Sequence, residues 1–403
     1  MDVERLICDR ARAVDASGIR RVFELGATLA DPIDLSIGQP DFPVPEAIKR
    51  AAIDAIESDH NGYTRTQGVG ELLDALAAWI QRDVGWTVGP AGSGEPTEMM
   101  VTSGTSGALM LAFLSLLGPG DEAIIPDPYF VIYPHLARIC GGRAVLCQTY
   151  PDLQMTAERV EPLITDRTRL VLLNSPSNPG GAVASVQQCR DLLELCRSRG
   201  VLLISDEIYD EFTYAEARTD HAAGDQSSAR CPSPGRFAGA HEDMLLVRGF
   251  GKTYGITGWR MGWAAGPRAL IEQMAKLQQY TFVCAPAPAQ WGSIAALDED
   301  MSGHVAAYQR RRDLVVQRLG AVTDLPRPGG AFYAFVRIPE ALGLSGGQFV
   351  ERCIERNVLV IPGSVFSTRD THVRLSYATS EQNLLRGLDV LVELLGAQER
   401  PSR

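Results

Sequence analysis

Four short segments combine residue types that can do chemistry with glycines and prolines that keep them accessible. Ser103-Gly104-Thr105-Ser106-Gly107 sets small residues and hydroxyls directly before an apolar helical pattern. Free N–H groups and the dipole at such a helix start suit a phosphate, although an ordinary loop and N-cap fit the same residues. Asn174-Ser175-Pro176-Ser177-Asn178-Pro179-Gly180-Gly181 holds two amides in a rigid turn. Asp206-Glu207-Ile208-Tyr209 places an acid at the end of an apolar run. Burying that carboxylate unpaired is costly and calls for a cation; a helix N-cap is the plainer role. Gly249-Phe250-Gly251-Lys252 leaves a lysine sterically open, and Arg260 follows eight residues later. A lone lysine is more often simply solvated. Together the segments offer an anion cradle, an amide, a buried carboxylate, a phenol, a lysine and an arginine.

Each segment directly follows a short apolar run. The runs are Met99–Thr102, Glu122–Pro126, Ala144–Cys147, Leu170–Leu173, Val201–Ser205 and Met244–Arg248. They alternate with helix-period stretches such as Gly107–Leu117 and Val186–Arg199. Strands apolar on both faces, alternating with helices, predict an α/β fold with a mostly parallel central sheet flanked by helices. Ligands of such sheets gather at the carboxyl ends of the strands, which is where the four segments fall. The last hundred residues change character. A charged helix (His304–Leu319) leads to Ala331–Val336, Gly347–Arg356, Val358–Ile361, Val373–Tyr377 and a helix from Glu381. The expected division is a large α/β domain at 46–299 and a smaller α+β domain from 1–45 plus 300–403, with the N-terminal arm packing on the C-terminal part. Ala215–Asp243, polar and rich in glycine, serine and proline, reads as a loop.

The 403 residues are 45% apolar and 22% charged, the composition of a globular protein. A net charge of −11 argues against nucleic-acid binding, which needs a basic face. The longest apolar stretch, Ala108–Leu117, falls short of the ~20 residues that span a bilayer, so no membrane association is expected. The N-terminal stretch lacks the apolar core of a secretory signal, and Asp2, Glu4 and Asp9 are unlike a transit peptide. The eight cysteines include no CxxC pair, and Cys189 and Cys196 share a helix face. Reduced structural thiols in a cytoplasmic protein are expected, with no metal site.

The ordered motifs SGTSGA, NSPSNPGG, DEIY, GKTYGITGWRMG and VRLSYA resemble the class I/II aminotransferases of the aspartate and aromatic type. These are pyridoxal 5′-phosphate (PLP) enzymes of fold type I, and the resemblance runs from Ile37 to Arg374. It implies a homodimer with shared active sites that moves an amino group from an L-amino acid to a 2-oxo acid by a ping-pong route. Lys252 then holds PLP as a Schiff base and shuttles a proton, while Asp206 pairs with the pyridine nitrogen. Asn178 and Tyr209 bond the ring 3′-oxygen, and Phe130 stacks on the ring. Arg260 grips the phosphate with Gly104, Thr105 and Ser106, and Tyr63 reaches it across the dimer interface. Arg374 binds the substrate α-carboxylate, helped by Gly38 and Asn178. Gln39, Pro40, Tyr254 and Trp259 are read as architectural.

Three features depart from the pattern. Gly251 and Gly249 stand where the family commonly has hydroxyls. Tyr214 and Lys252 are 38 positions apart (252 − 214), which suggests an insertion between them. Ser106 occupies the place where one aspartate-specific branch carries a lysine. Two other readings remain: a PLP-dependent carbon–sulfur β-lyase or related elimination enzyme, and a non-enzymatic PLP sensor. The sensor needs an added DNA-binding domain, and no basic helix-turn-helix precedes Ile37.

Overall fold

The structure, a computed structural model, describes residues 1–16, 18–26, 29–219 and 230–396. Along the chain the strands are Ile33–Asp34 (β1), Gly89–Pro90 (β2), Thr97–Ser103 (β3), Glu122–Asp127 (β4), Arg143–Gln148 (β5), Thr168–Asn174 (β6) and Leu202–Asp206 (β7). They continue as Met244–Gly249 (β8), Met261–Pro267 (β9), Tyr333–Arg337 (β10), Val358–Leu359 (β11), Ile361–Pro362 (β12) and His372–Ser376 (β13). Strands β2 to β9 form one sheet in the order β2-β3-β9-β8-β7-β6-β4-β5. Its pairs are parallel except those of β9, which runs antiparallel to β3 and β8.

The inner strands are apolar throughout because both faces of the sheet are covered. Successive side chains point to opposite faces, and the cores divide accordingly. Ile124, Leu203 and Leu246 pack on one side. Ile125, Ile204 and Val247 pack on the other. The covering helices carry clear end signals. Ser185 and Gln188 form a reciprocal capping box at the start of Val186–Arg199, and Gly200 closes it in the left-handed conformation at φ 65°. Cys189 and Cys196 are buried in that helix, and all eight cysteines are free.

The C-terminal strands β10, β13 and β12 form an antiparallel sheet. A separate core joins them to the helices Ser302–Leu319, Gly346–Glu355 and Glu381–Gly396, and includes Ile33 and Leu35. Strand β1 pairs in parallel with β11, so the N-terminal segment is hydrogen-bonded to the C-terminal part. Among the described residues no helix is long and apolar enough to cross a membrane.

The α/β class and the mostly parallel sheet are as expected. Strand β9 was not anticipated. Its sequence, MGWAAGP, is rich in small residues rather than the β-branched ones that mark strands. The small residues are needed there: a Cβ on Gly262 would lie 2.7 Å from the Thr105 nitrogen. Within Ala215–Asp243, residues 220–229 lie outside the described residues. Thr219 and Arg230 bridge to each other, and Pro234–Arg236 and Ala240–Asp243 form short helical turns.

Candidate active site

The carboxyl ends of β6, β7 and β8 and the helix start after β3 open on one cavity of about 280 Å3. Lys252 enters it from the one-turn helix Phe250–Thr253 that follows β8. Its ammonium donates to the Gly38 carbonyl. Burial, with the positive Arg374 and Arg260 nearby, brings its pKa down to about 8. A lysine with that pKa has about a tenth of its amine neutral at pH 7, so it is available as a nucleophile.

Asp206 ends β7 and is 2% exposed. Its carboxylate accepts the Tyr133 hydroxyl at 2.8 Å and the Ile208 N–H at 3.3 Å. Burial raises its pKa to about 6 against those bonds, and Glu207 adds to the rise. Among the described residues no cationic side chain pairs with it. Asn174 ties the neighbouring segments together. Its side-chain amide donates to the Asp206 carbonyl at 3.0 Å, and its oxygen accepts the Asn178 N–H at 2.9 Å.

Arg374, on β13, is 1% exposed and lies between the Tyr333 and Phe366 rings, 4.6 and 4.5 Å from their centroids. Nη1 donates to Asn178 Oδ1 at 3.1 Å and Nη2 to the Ser36 carbonyl at 2.8 Å, while Nε is buried without a partner. Burial lowers its pKa. Among the described residues no carboxylate pairs with this guanidinium, so it presents an uncompensated positive charge to the cavity. Tyr209, also buried, shares a 3.0 Å hydrogen bond with Tyr333.

Arg260 adopts a left-handed backbone at φ 58° and donates to the Thr257 carbonyl at 3.0 Å. It lies against Gly104, whose own φ is 68° and where a Cβ would come 2.6 Å from Arg260 Nη2. Glycines at 104 and 262 thus let Arg260 and β9 pack closely against the start of the helix Gly104–Leu116. Thr105, Ser106, Phe130 and Gly38 also line the cavity. Tyr63 does not. It is 90% exposed and borders a separate surface depression with His60 and Trp291.

Several lining residues carried no sequence-level signal of their own. Tyr133 stands three residues after Phe130 on the Ile132–Ile139 helix, and Tyr333 follows the Gly329-Gly330 pair. Both read as core aromatics until their hydroxyls are placed. Thr257, inside the GITGW run, has no such signal either. It lines the cavity beside Gly251, where a Cβ would lie 3.4 Å from the Thr257 Cα. The two glycines noted as departures differ sharply. A Cβ on Gly249 would meet Ile208 Cδ1 at 2.9 Å, whereas Gly251 has room for one.

Residues 30–391 match the family model for aminotransferase class I and II. A putative aminotransferase of Bacillus subtilis is 35% identical over 390 residues, covering 95% of this chain and 96% of the relative. The aspartate/prephenate aminotransferase of Thermus thermophilus is 36% identical, covering 93% and 94%. Among solved structures, the aspartate aminotransferase of Thermus thermophilus with maleate superposes with a TM-score of 0.86 at 35% identity, covering 96% and 99% of the two chains. That of Thermotoga maritima gives 0.88 at 30% identity, covering 97% and 100%. The chain belongs to the class I and II aminotransferase family and is a transaminase.

Proposed function

We propose that the chain is a PLP-dependent aminotransferase, aspartate aminotransferase-like, that moves an amino group from an L-amino acid to a 2-oxo acid by a ping-pong route. The observation that carries this reading is the set of unmet charges around one cavity. Asp206 is a buried carboxylate lacking a cation, and Arg374 is a buried guanidinium lacking an anion. The same cavity holds an amine with a lowered pKa and a helix start where any side chain at residue 104 would collide with Arg260. A ring with a protonated nitrogen, an aldehyde and a phosphate fits the first, third and fourth of these. A substrate α-carboxylate fits the second.

When bound, PLP supplies an aldehyde that takes up the amino group and a ring that accepts electron density from the substrate's α-carbon. The chain's own residues do the rest. Lys252 would hold the cofactor through its amine and would move a proton to and from the substrate α-carbon. Asp206 would hold a positive charge on the ring nitrogen, and Tyr133 orients its carboxylate. Asn178, Tyr209 and Phe130, all lining the cavity, would hold the ring, the first two by hydrogen bonds and Phe130 by packing. Arg260, Gly104, Thr105 and Ser106 would bind the phosphate through charge and free N–H groups. Arg374 binds the α-carboxylate with its planar fork, assisted by Asn178 and Gly38.

We further propose a large domain at 46–299, a small one from 1–45 plus 300–403, and a cytoplasmic homodimer. The separate C-terminal core and the β1–β11 pairing support the division. The exposed Tyr63 supports a site completed by a second copy, and eight free cysteines suit a reducing compartment. The test is a panel of L-amino acids offered with and without 2-oxoglutarate. Acceptor-dependent appearance of the matching 2-oxo acid is expected. Pyruvate and ammonia released without an acceptor would replace transfer by elimination.

A further inference from the structure

Strand alternation sends Asp206 to the cavity face of the sheet, and Ser205, Glu207 and Arg248 to the opposite face. There a second, charged cavity of about 250 Å3 lies against the helix Gly70–Val84. Arg248 is 3% exposed and its fork is fully engaged. Nε and Nη2 donate to Glu207 Oε2 at 2.9 and 2.7 Å. Nη1 donates to Asp83 Oδ2 at 2.7 Å and lies 3.1 Å from Asp210 Oδ2. The other Glu207 oxygen accepts the Ser205 and Ser233 hydroxyls, each at 2.7 Å. Asp83 is held in turn by Arg230 at 2.6 Å and Arg236 at 2.8 Å.

The placement of this cluster matters more than its size. Glu207 and Asp210 bracket Tyr209 in a turn closed by the Asp210 N–H on the Glu207 carbonyl at 3.1 Å. Arg248 contacts both acids, and it belongs to the strand that delivers Lys252 four residues later. One guanidinium therefore ties the turn carrying Asp206 and Tyr209 to the strand carrying the lysine, from the face that substrate does not touch. Stability alone is a poor reason for it, since well-packed apolar residues serve a buried site as well as an ion-pair cluster does. A planar fork bonded through all three nitrogens does what apolar packing cannot: it sets orientation.

We infer that Arg248, with Asp83 and Glu207, is a positioning residue for the reaction, fixing the placement of Asp206 and Tyr209 relative to Lys252. The inference rests on the proposed function. The PLP-loaded wild type, Arg248→Lys and Glu207→Gln are compared by steady-state kinetics, by the visible absorbance and circular dichroism of bound PLP, and by melting with and without PLP. Arg248→Lys keeps the charge and loses the fork. The expected result is a kcat lower by about 10-fold or more, an altered visible dichroism, and a donor KM within about twofold, because Arg374 lies outside the cluster. Unchanged kcat and dichroism in both variants would overturn the inference, whatever the melting temperatures. Should neither fold, Asp210→Asn decides: a kcat lower by about threefold with altered dichroism supports it, and wild-type values overturn it. A wild type that neither binds PLP nor transaminates would instead defeat the proposed function, and the inference with it.

Discussion

Replacing Asp206 by asparagine separates what this residue costs the fold from what it supplies to the reaction. An ordinary aspartate loses its proton near 3.8, whereas Asp206 does so near about 6, chiefly because it is buried. At neutral pH that gap corresponds to about 3 kcal/mol of destabilisation in the cofactor-free protein. Asparagine removes the charge but offers a single acceptor oxygen. It therefore keeps one of the bonds from Tyr133 and Ile208 and loses the other, at about 1 kcal/mol. Cofactor-free Asp206→Asn is thus expected to be more stable than wild type by about 2 kcal/mol at pH 7.5. The sign follows from the raised pKa. Wild-type stability falls as pH climbs from about 4 to about 6, where the unfolded chain ionises and the folded one does not, and then levels. Below that window the charge penalty is absent and the variant should be the less stable protein by about 1 kcal/mol; its advantage appears and grows across the window. Urea unfolding of both proteins without PLP, from pH 4.5 to 8, reads it directly. With PLP the order reverses: affinity drops, and kcat falls by about 100-fold or more, since the ring loses its counter-charge. A cofactor-free variant less stable than wild type at pH 7.5, or one that binds PLP equally well, would refute this reasoning.

Arg374→Lys keeps a cation between Tyr333 and Phe366 but loses the fork, so kcat/KM should fall by about 10- to 100-fold for every amino acid and 2-oxo acid alike; a loss confined to one substrate class would make it a side-chain reader. Gly251→Ser should fold normally and hold PLP at least as tightly, because its Cβ has 3.4 Å to Thr257 and the residue lines the cavity; faster PLP loss during dialysis against cysteine would count against it. Gly249→Ser should lower stability, because its Cβ would be crowded at once by Ile208 Cδ1 at 2.9 Å, Thr105 Cγ2 at 3.1 Å and the Met261 carbonyl at 3.2 Å, as a shift in melting temperature would show. Substrate range should extend beyond dicarboxylates, since Ser106 brings no charge into the cavity; a preference for aspartate over alanine and the aromatic amino acids above about 1000-fold, or about 4 kcal/mol, would contradict that.

Most of the sheet was legible because its strands are apolar on both faces, so Leu170–Leu173 or Val201–Ser205 stand out without any periodicity argument. β9 was hidden for the opposite reason: small residues stand where β-branched ones would mark a strand, Gly262 making room for the Gly104–Thr105 turn while Ala264 and Ala265 pack in the cores on the two faces. The candidate site was legible wherever a reactive residue sits just past a strand, as Asp206 and Lys252 do. It was opaque where function comes from a hydroxyl on a buried ring or from main chain. Tyr133 and Tyr333 look like core aromatics in sequence, and the Ser36 carbonyl that receives Arg374 has no side-chain signature at all. The Arg248 cluster was equally invisible. Its members are scattered from Asp83 to Arg248, and only the packing of the helix Gly70–Val84 on that face of the sheet brings them to one place. Tyr63, named from the motif around it, stands clear of the cavity within a single chain.

The central claim is that one lysine in this cavity carries the chemistry, and the chain makes it directly testable because it holds three lysines: Lys49, Lys252 and Lys276. Lys49 pairs with Glu46 on a helix surface, and Lys276 is exposed. Only Lys252 has its ammonium within the cavity and a pKa lowered to about 8. The PLP-loaded protein should be yellow, lose that colour on borohydride reduction, and yield on peptide mapping a single pyridoxyl label at Lys252. A label on Lys49 or Lys276, or none, would contradict the account.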